Sequence, residues 1–246
     1  MSVKKSLPSS AIKMIALITM FTDHMGYALG RTGFLFIPRI LGLTTDPYIV
    51  SEWVWLVFRS VGRIAFPLFC FMLVEGFFHT GSHRRHLILL GSFALISEIP
   101  FNLFFRMKIS YLPHQNTLFT LFMAYVGLLL LDRCTGDYRF LAFLFPLAAE
   151  FLHTDYGAEG VFTVYLFYLA ARRKGGDLSR AGAADYFLAL CPLLVSALSW
   201  KVEICCILSL PILLLYNGEK GWSRKYFFYL FYPLHLLALY LLRLRL

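Results

Sequence analysis

The chain has 246 residues, of which 59% are hydrophobic and 17% aromatic, and its mean hydropathy is +0.68. A soluble domain has only about 45–50% apolar residues, so this composition excludes an ordinary soluble protein and predicts a multi-pass protein surrounded by a lipid bilayer. The formal charge of +9 does not indicate a nucleic-acid partner, because the basic residues lie in short loops beside hydrophobic runs, as membrane topology requires.

Apolar runs recur along the whole chain, and lipid satisfies no stray backbone N–H or C=O group, so helical backbone is required. The sequence predicts an all-α, polytopic membrane bundle of about nine transmembrane or re-entrant helices. We expect one domain over residues 1–246. The predicted spans are residues 11–30, 53–78, 86–105, 117–132, 139–152, 160–171, 184–200, 202–216 and 226–243.

Two of these runs and one further segment are short for a membrane crossing. Residues 139–152 and 160–171 fall below the roughly 20 residues that a hydrocarbon layer of about 30 Å requires. We expect half-helices or re-entrant pieces there, and an interfacial position for residues 33–43. The first run lacks a small-residue cleavage site, so it is expected to stay in the protein.

Basic loops predict the orientation of the chain. If the spans alternate, the most basic segments all fall on one side of the membrane: Lys4, Lys5 and the loops at 79–86, 172–180 and 217–225. By the positive-inside rule that side is cytoplasmic, so we expect a cytoplasmic N-terminus.

The first run contains ionisable residues within FTDHMG. A charge at mid-bilayer costs at least ~2.5 kcal/mol, so Asp23 and His24 are expected to face a bundle interior or a wet cavity. Lys13 and His24 are eleven residues apart, which places them on nearly the same helix face and roughly 16 Å apart. Asp23 points elsewhere and is expected to bond a different helix. An imidazole accepts and returns protons near neutral pH, so His24 is a candidate general base.

The second run combines two arginines with a proline. Arg59 and Arg63 lie one turn apart, and Pro67 removes a helical hydrogen bond, which predicts a kink and a polar pocket. Arg63 could bind a phosphate or stabilise negative charge on an oxygen. The alternative is an ion pair with Glu75 or Glu98 that only holds helices together.

Three further polar residues leave two interpretations open. Glu75 is either a ligand contact or a structural partner. Asn116 either contributes to a cavity or only caps the next helix. His235 in FYPLHLLALY is either functional or a core histidine bonded to a backbone carbonyl.

Metal-binding and common catalytic signatures are missing. The chain has no H-E-x-x-H, Walker loop, G-x-S-x-G or G-x-G-x-x-G. Its five cysteines show no C-x-x-C spacing, and three histidines within residues 79–86 lie in a loop expected to be exposed. We therefore expect no metal, and we exclude a metalloprotease or a nucleotide-hydrolysing pump.

Five motifs follow one another along most of the chain: IKMIALITMFTDHMG, GRIAFPLFCFMLVEGFFHT, FALISEIPFN, QNTLFTL and FYPLHLLALYLL. In this order they resemble the TraX family, which is named for F-pilin acetylation. That family is similar to a wider group of transmembrane acyltransferases, which includes the acyltransferase-3 proteins and the lysosomal heparan-alpha-glucosaminide acetyltransferase.

The resemblance implies an acetyltransferase of the bacterial inner membrane. Its donor substrate would be cytoplasmic acetyl-CoA, and its acceptor an amine or hydroxyl of a protein or glycan, such as a pilin N-terminus or a sugar. In the acyltransferase-3 branch, a basic residue and a histidine separated by ten residues on the first helix are associated with catalysis. Lys13 and His24 reproduce that spacing.

The site residues implied in this way fall into two groups. His24 would be the catalytic histidine, with Asp23 and Arg63 carried over from the DH and GRIAFPLF motifs. The residues expected to contact acetyl-CoA are Lys13, Arg63, Glu75 and Asn116.

Several mechanisms and functions remain open at this point. His24 could act as a general base or could carry the acetyl group as a covalent intermediate. The same buried polar residues suit a proton-coupled transporter or flippase for a polar substrate. A non-catalytic assembly partner is a third possibility, and nothing in the residues selects the acceptor.

Overall fold

The structure is a computed structural model that describes residues 5–222 and 225–245. Lys4 of the basic N-terminal stretch and residues 223–224 of the last basic loop lie outside the described residues. The all-α prediction is confirmed, because the described part of the chain contains no strand and has only two isolated bridges, Leu7 with Tyr216 and Gln115 with Thr154.

Helices occupy the predicted runs. Within the described residues the α-helices are α1 (Ser9–Leu29), α2 (Phe36–Leu41), α3 (Pro47–Gly62), α4 (Ala65–His79), α5 (His83–Arg106), α6 (Thr117–Arg133), α7 (Leu144–Phe151), α8 (Gly157–Arg173), α9 (Ala183–Ser196), α10 (Ser209–Leu214) and α11 (Lys225–Arg243). Three 3-10 segments accompany them: Gly136–Phe143, Leu178–Arg180 and Lys201–Leu208.

Three helical stretches of the described chain are long and apolar enough to cross a membrane. They are Pro47–His79, His83–Arg106 and Tyr226–Arg243. These stretches support a membrane protein. They do not confirm the predicted count of about nine spans.

Several predicted spans are composite. Residues 139–152 form the 3-10 segment Gly136–Phe143 followed by the eight-residue helix α7, as their short length predicted. Residues 202–216 are similarly divided between Lys201–Leu208 and α10. Residues 160–171, in contrast, belong to α8, which is one continuous helix of 17 residues.

The second predicted span is interrupted in its middle. Helix α3 ends at Gly62 and α4 begins at Ala65, so Arg63 and Ile64 lie between two helices. Pro67 lies in the first turn of α4, where a missing N–H breaks no helical hydrogen bond. The predicted kink is therefore a helix break at Arg63, before the proline.

Helix α4 is the centre of the bundle and packs against α1, α6, α8 and α10. Leu68, Cys70, Phe71 and Val74 are completely buried there. Helix α11 packs against α5 and α1, so the last helix returns to the first.

The start of α1 is fixed by backbone hydrogen bonds to the segment that follows α10. The N–H groups of Ser6 and Leu7 donate to the Leu215 carbonyl at 2.8 and 2.9 Å, and that of Ser9 donates to the Glu219 carbonyl at 2.7 Å. These bonds orient α1 and set the position of its Lys13.

Small residues allow α1 and α3 to approach closely. A methyl group on Gly62 would overlap the side chain of Asp23, and a Cβ on Gly26 would lie 2.7 Å from the Cβ of Phe58. Close backbone approach at glycine is typical of helix pairs in membranes.

We predict that Gly62→Ala destabilises the protein by about 1–3 kcal/mol, because the added methyl has to displace Asp23. Thermal denaturation in detergent would measure the loss. Gly81→Ala is the control, since a Cβ at Gly81 meets open space. Equal denaturation temperatures for the two variants would contradict the close helix contact.

Candidate active site

One cavity of about 690 Å³ follows α1 through the bundle. Near the start of α1 its lining includes Lys13 and Lys220, and near the opposite end of the bundle it includes Arg106 and His114. His24 lines the same cavity between these ends. Lys13 and His24 therefore face one space, as residues on one side of a helix should.

Asp23 binds two arginines, Arg59 of α3 and Arg63 in the break that follows it. Its Oδ2 accepts from Arg59 Nη1 at 2.7 Å, and its Oδ1 accepts from Arg63 Nη2 at 2.8 Å. Only 5% of Asp23, 6% of Arg59 and 8% of Arg63 is exposed, so water contributes little to their solvation. The expectation that Asp23 bonds a different helix is confirmed.

Arg63 also bonds the far side of the bundle. Its Nη1 donates to Glu203 Oε2 and to the Tyr156 hydroxyl, both at 3.3 Å, and its Nε donates to the Arg59 carbonyl at 3.3 Å. The predicted alternative of an ion pair with Glu75 or Glu98 is wrong, since the carboxylates bound to Arg63 are those of Asp23 and Glu203.

These bonds occupy most of the donors of the Arg63 guanidinium. The side chain lines the cavity, but its hydrogen bonds connect α1, the Lys201–Leu208 segment and the start of α8. These bonds hold separate segments of the bundle together, and a phosphate at Arg63 would have to compete with two carboxylates.

His24 forms a pair with a histidine of the last helix. Its Nδ1 lies 2.7 Å from Nε2 of His235, and the two ring planes differ by only 8°. Nδ1 of His235 lies 2.7 Å from the Phe231 carbonyl oxygen. The interpretation of His235 as a core histidine bonded to a backbone carbonyl is confirmed, and its contact with His24 adds a role that the sequence did not reveal.

Aromatic rings enclose the His24 imidazole. The ring centroids of Phe104 and Phe105 lie 5.8 and 5.5 Å from that of His24. Both phenylalanines belong to α5, so α1, α5 and α11 together hold the histidine pair.

Lys13 and Glu75 lie nearer the start of α1, and both line the cavity. Lys13 Nζ lies 5.5 Å from the centroid of the Phe228 ring. Oε1 of Glu75 accepts from the Tyr216 hydroxyl, whereas Oε2 is buried and has no hydrogen-bond partner within the described part of the chain. Glu75 thus offers an acceptor to a ligand.

Asn116 lies outside the cavity lining, although its neighbours Thr117 and Leu118 belong to it. Its Oδ1 accepts from the backbone N–H of Leu118 at 3.0 Å, which caps α6. Its Nδ2 donates to the Ala94 carbonyl at 2.8 Å and to Glu98 Oε2 at 2.6 Å. The capping interpretation is confirmed, and the structure does not place Asn116 with the residues expected to contact acetyl-CoA.

Two aromatic residues at the site, Tyr156 and Trp200, were not among the predicted site residues. Tyr156 has a φ of 67°, stacks on Phe66 at 3.7 Å between ring centroids, and lines the cavity. Trp200 lies under both arginines, with 5.5 and 5.6 Å from its ring centroid to the Cζ atoms of Arg59 and Arg63. Tyr156 lies in a connecting segment, and Trp200, which the predicted span 184–200 included, lies beyond the end of α9 at Ser196. Hydrophobic periodicity therefore does not predict where either side chain points.

No group of three or more His, Cys, Asp or Glu side chains that could hold a metal ion occurs among residues 5–222 and 225–245. The five cysteines are free.

Residues 8–243 match the family described as TraX protein. This chain belongs to the TraX family. The probable fimbrial assembly protein FimC, serogroup H1, of Dichelobacter nodosus is 30% identical to this TraX family member over 244 residues, covering 93% of this chain and 92% of the relative. No solved structure matches the chain.

We predict that Asp23→Asn destabilises this TraX family member by about 3–5 kcal/mol, because it leaves two buried guanidinium groups without their shared carboxylate. Unfolding in a denaturing-detergent titration would measure the change. The control is Glu52→Gln, which removes an ion pair with Arg31 whose side chains are 60% and 65% exposed. That pair should contribute only about 0–1 kcal/mol. Equal losses would contradict the central role of Asp23.

Proposed function

We propose that this TraX family member is an inner-membrane acetyltransferase that transfers an acetyl group from cytoplasmic acetyl-CoA to an amine or hydroxyl. The observation that carries the proposal is the single cavity lined by both Lys13 and His24. A cation toward one end and an imidazole deeper inside suit an anionic donor and a proton transfer. The basic loops support a cytoplasmic position for the Lys13 end.

The donor would enter from the end of the cavity that Lys13 and Lys220 line. Their ammonium groups would attract the phosphates of coenzyme A. The extended pantetheine arm would then follow α1 over the roughly 16 Å between Lys13 and His24. Along this path, Oε2 of Glu75 is available to accept a hydrogen bond from an amide N–H of the arm.

His24 would act as the general base in the transfer step. It removes the proton of the acceptor N–H or O–H as the acceptor atom bonds to the thioester carbonyl carbon. When the C–S bond breaks, the proton passes from His24 to the departing sulfur of coenzyme A. The histidine ends the cycle in its starting protonation state.

Charge on the carbonyl oxygen needs a hydrogen-bond donor in the cavity. The Tyr156 hydroxyl accepts a bond from Arg63, which leaves its own hydrogen available. We assign this donor role to Tyr156 ahead of Arg63, whose N–H groups are largely occupied.

The acceptor is proposed from the relative in Dichelobacter nodosus, whose name describes probable fimbrial assembly. By that comparison the acceptor would be a pilin or fimbrial subunit, or a glycan attached to the same surface structure. The cavity lining near Arg106 and His114 offers an entrance at the end opposite Lys13.

A proton-coupled transporter is the second candidate, because ionisable side chains line the cavity near both ends of the bundle. Transport requires two compartments, whereas catalysis does not. Formation of a covalently acetylated acceptor by purified protein in detergent would therefore separate the two functions.

We predict that His24→Asn lowers acetyl transfer by about 10²–10⁴-fold, the usual contribution of a general base. The Asn side chain can keep a donor near the Nδ1 position, so the contact with His235 and the fold are retained. Transfer of radiolabelled acetyl groups to a pilin N-terminal peptide or to an amino sugar would be measured in detergent.

His153→Asn is the matched control for this variant. His153 is exposed and has a φ of 49°, a conformation that Asn tolerates, so activity should be unchanged. Wild-type transfer in the folded His24→Asn variant would refute the assigned base. Exchange of labelled coenzyme A into acetyl-CoA without acceptor would identify the covalent acetyl-histidine route.

We predict that Lys13→Ala weakens acetyl-CoA binding by about 5- to 30-fold, because the lost ion pair contributes about 1–2 kcal/mol. Isothermal calorimetry in detergent would measure the dissociation constant. Lys5→Ala is the control, since Lys5 is exposed and lies outside the cavity lining. Unchanged affinity in Lys13→Ala would remove this residue from the donor path.

A further inference from the structure

We infer that His235 is a positioning residue that directs the basic nitrogen of His24 toward the cavity. The inference rests on the proposed acetyl transfer, in which His24 is the general base, and it assigns His235 as the hydrogen-bond partner of that base. Its foundation is a chain of two short contacts, from His24 Nδ1 to His235 Nε2 and from His235 Nδ1 to the Phe231 carbonyl, each 2.7 Å long.

The protons in this chain follow from the chemistry of its last member. A backbone carbonyl can only accept, so Nδ1 of His235 carries a hydrogen and donates it to Phe231. In a neutral imidazole the other nitrogen is then an acceptor. Nε2 of His235 therefore accepts from Nδ1–H of His24. The remaining nitrogen of His24, Nε2, holds the lone pair.

A positively charged His235 would reverse this order and leave His24 without a free lone pair. His235 is only 5% exposed, and none of its hydrogen bonds among the described residues is to a carboxylate. A buried charge without a counter-ion is strongly disfavoured. The neutral form of His235 is thus the one that the surroundings support.

The two histidines have different access to the cavity. His24 belongs to the cavity lining, whereas His235 does not. Nε2 of His24 has no hydrogen-bond partner within the described chain, while Nδ1 is committed to His235. The lone pair is thereby left available to a substrate.

The pair also stabilises the charge that catalysis creates. When Nε2 of His24 takes the acceptor proton, the resulting imidazolium still donates from Nδ1 to the lone pair of His235. A hydrogen bond to a charged group is stronger than one between neutral groups. When the sulfur of coenzyme A receives the proton from Nε2, the starting arrangement is restored with no net change in either histidine.

Two substitutions at His235 separate this role from simple packing. In His235→Gln, the amide oxygen reaches the position of Nε2 and can accept from His24. In His235→Asn, the shorter amide reaches only the position of Nδ1, so the bond to Phe231 can persist but the bond to His24 is lost. We expect transfer to fall by about tenfold or more in His235→Asn, as expected for disturbing a general base, and to recover substantially in His235→Gln. Acetyl-CoA affinity should stay unchanged in both variants.

A spectroscopic measurement tests the same inference independently of activity. In ¹⁵N-histidine-labelled protein in detergent, the His24 signals, assigned by their loss in His24→Asn, should show protonated Nδ1 and unprotonated Nε2. His235→Asn should shift His24 toward the opposite tautomer.

The outcomes of the two experiments are distinct. Protonated Nε2 in the wild-type protein, or a wild-type transfer rate in folded His235→Asn, would overturn the positioning role. The expected tautomer together with no acetyl transfer by wild-type protein would refute the proposed function and leave the histidine pair intact.

Discussion

The carboxylate of Asp23 is the contact on which the arrangement of the bundle depends. It neutralises Arg59 and Arg63 at once, and all three side chains are buried. Removing charges from water is costly, so such a cluster persists only when its members are paired and hydrogen-bonded. Because Asp23 precedes His24 directly, the ion cluster that joins α1 to α3 also fixes the helix turn that carries the imidazole.

The helix break at Arg63 allows this side chain to form hydrogen bonds with several segments of the bundle. Had α3 and α4 formed one continuous helix, Arg63 would have lain on an ordinary helix face. At the break it bonds Glu203 and Tyr156, which belong to segments distant in sequence. Irregular backbone at membrane depth is tolerated when protein surrounds it. At Arg63 the surrounding protein includes Trp200, which packs against the guanidinium, and the stacked rings of Tyr156 and Phe66.

Sequence patterns predicted the helices well because lipid imposes one backbone conformation and hydropathy reveals where it applies. They also identified Asp23 and the Lys13–His24 stripe, since charges in apolar runs are conspicuous and helix geometry relates residues within one element. They did not identify the partners. Arg63 pairs with Glu203 across 140 positions, and His24 with His235 across 211, and no local pattern encodes such distances. Asn116 was expected to contact acetyl-CoA, but it caps α6 and lies outside the cavity lining. A single sequence does not distinguish an asparagine that caps a helix from one that lines a cavity.

The pairing of His24 with His235 has a consequence for biogenesis. Helix α1 is synthesised well before α11, and the start of α1 also bonds to the backbone at Leu215 and Glu219, which is synthesised much later than α1. A partly translated chain in the membrane thus lacks the groups that complete the site. His24 therefore has no hydrogen-bond partner at Nδ1 until α11 has been inserted beside α1, and the assembly of this part of the bundle depends on a helix that is synthesised much later.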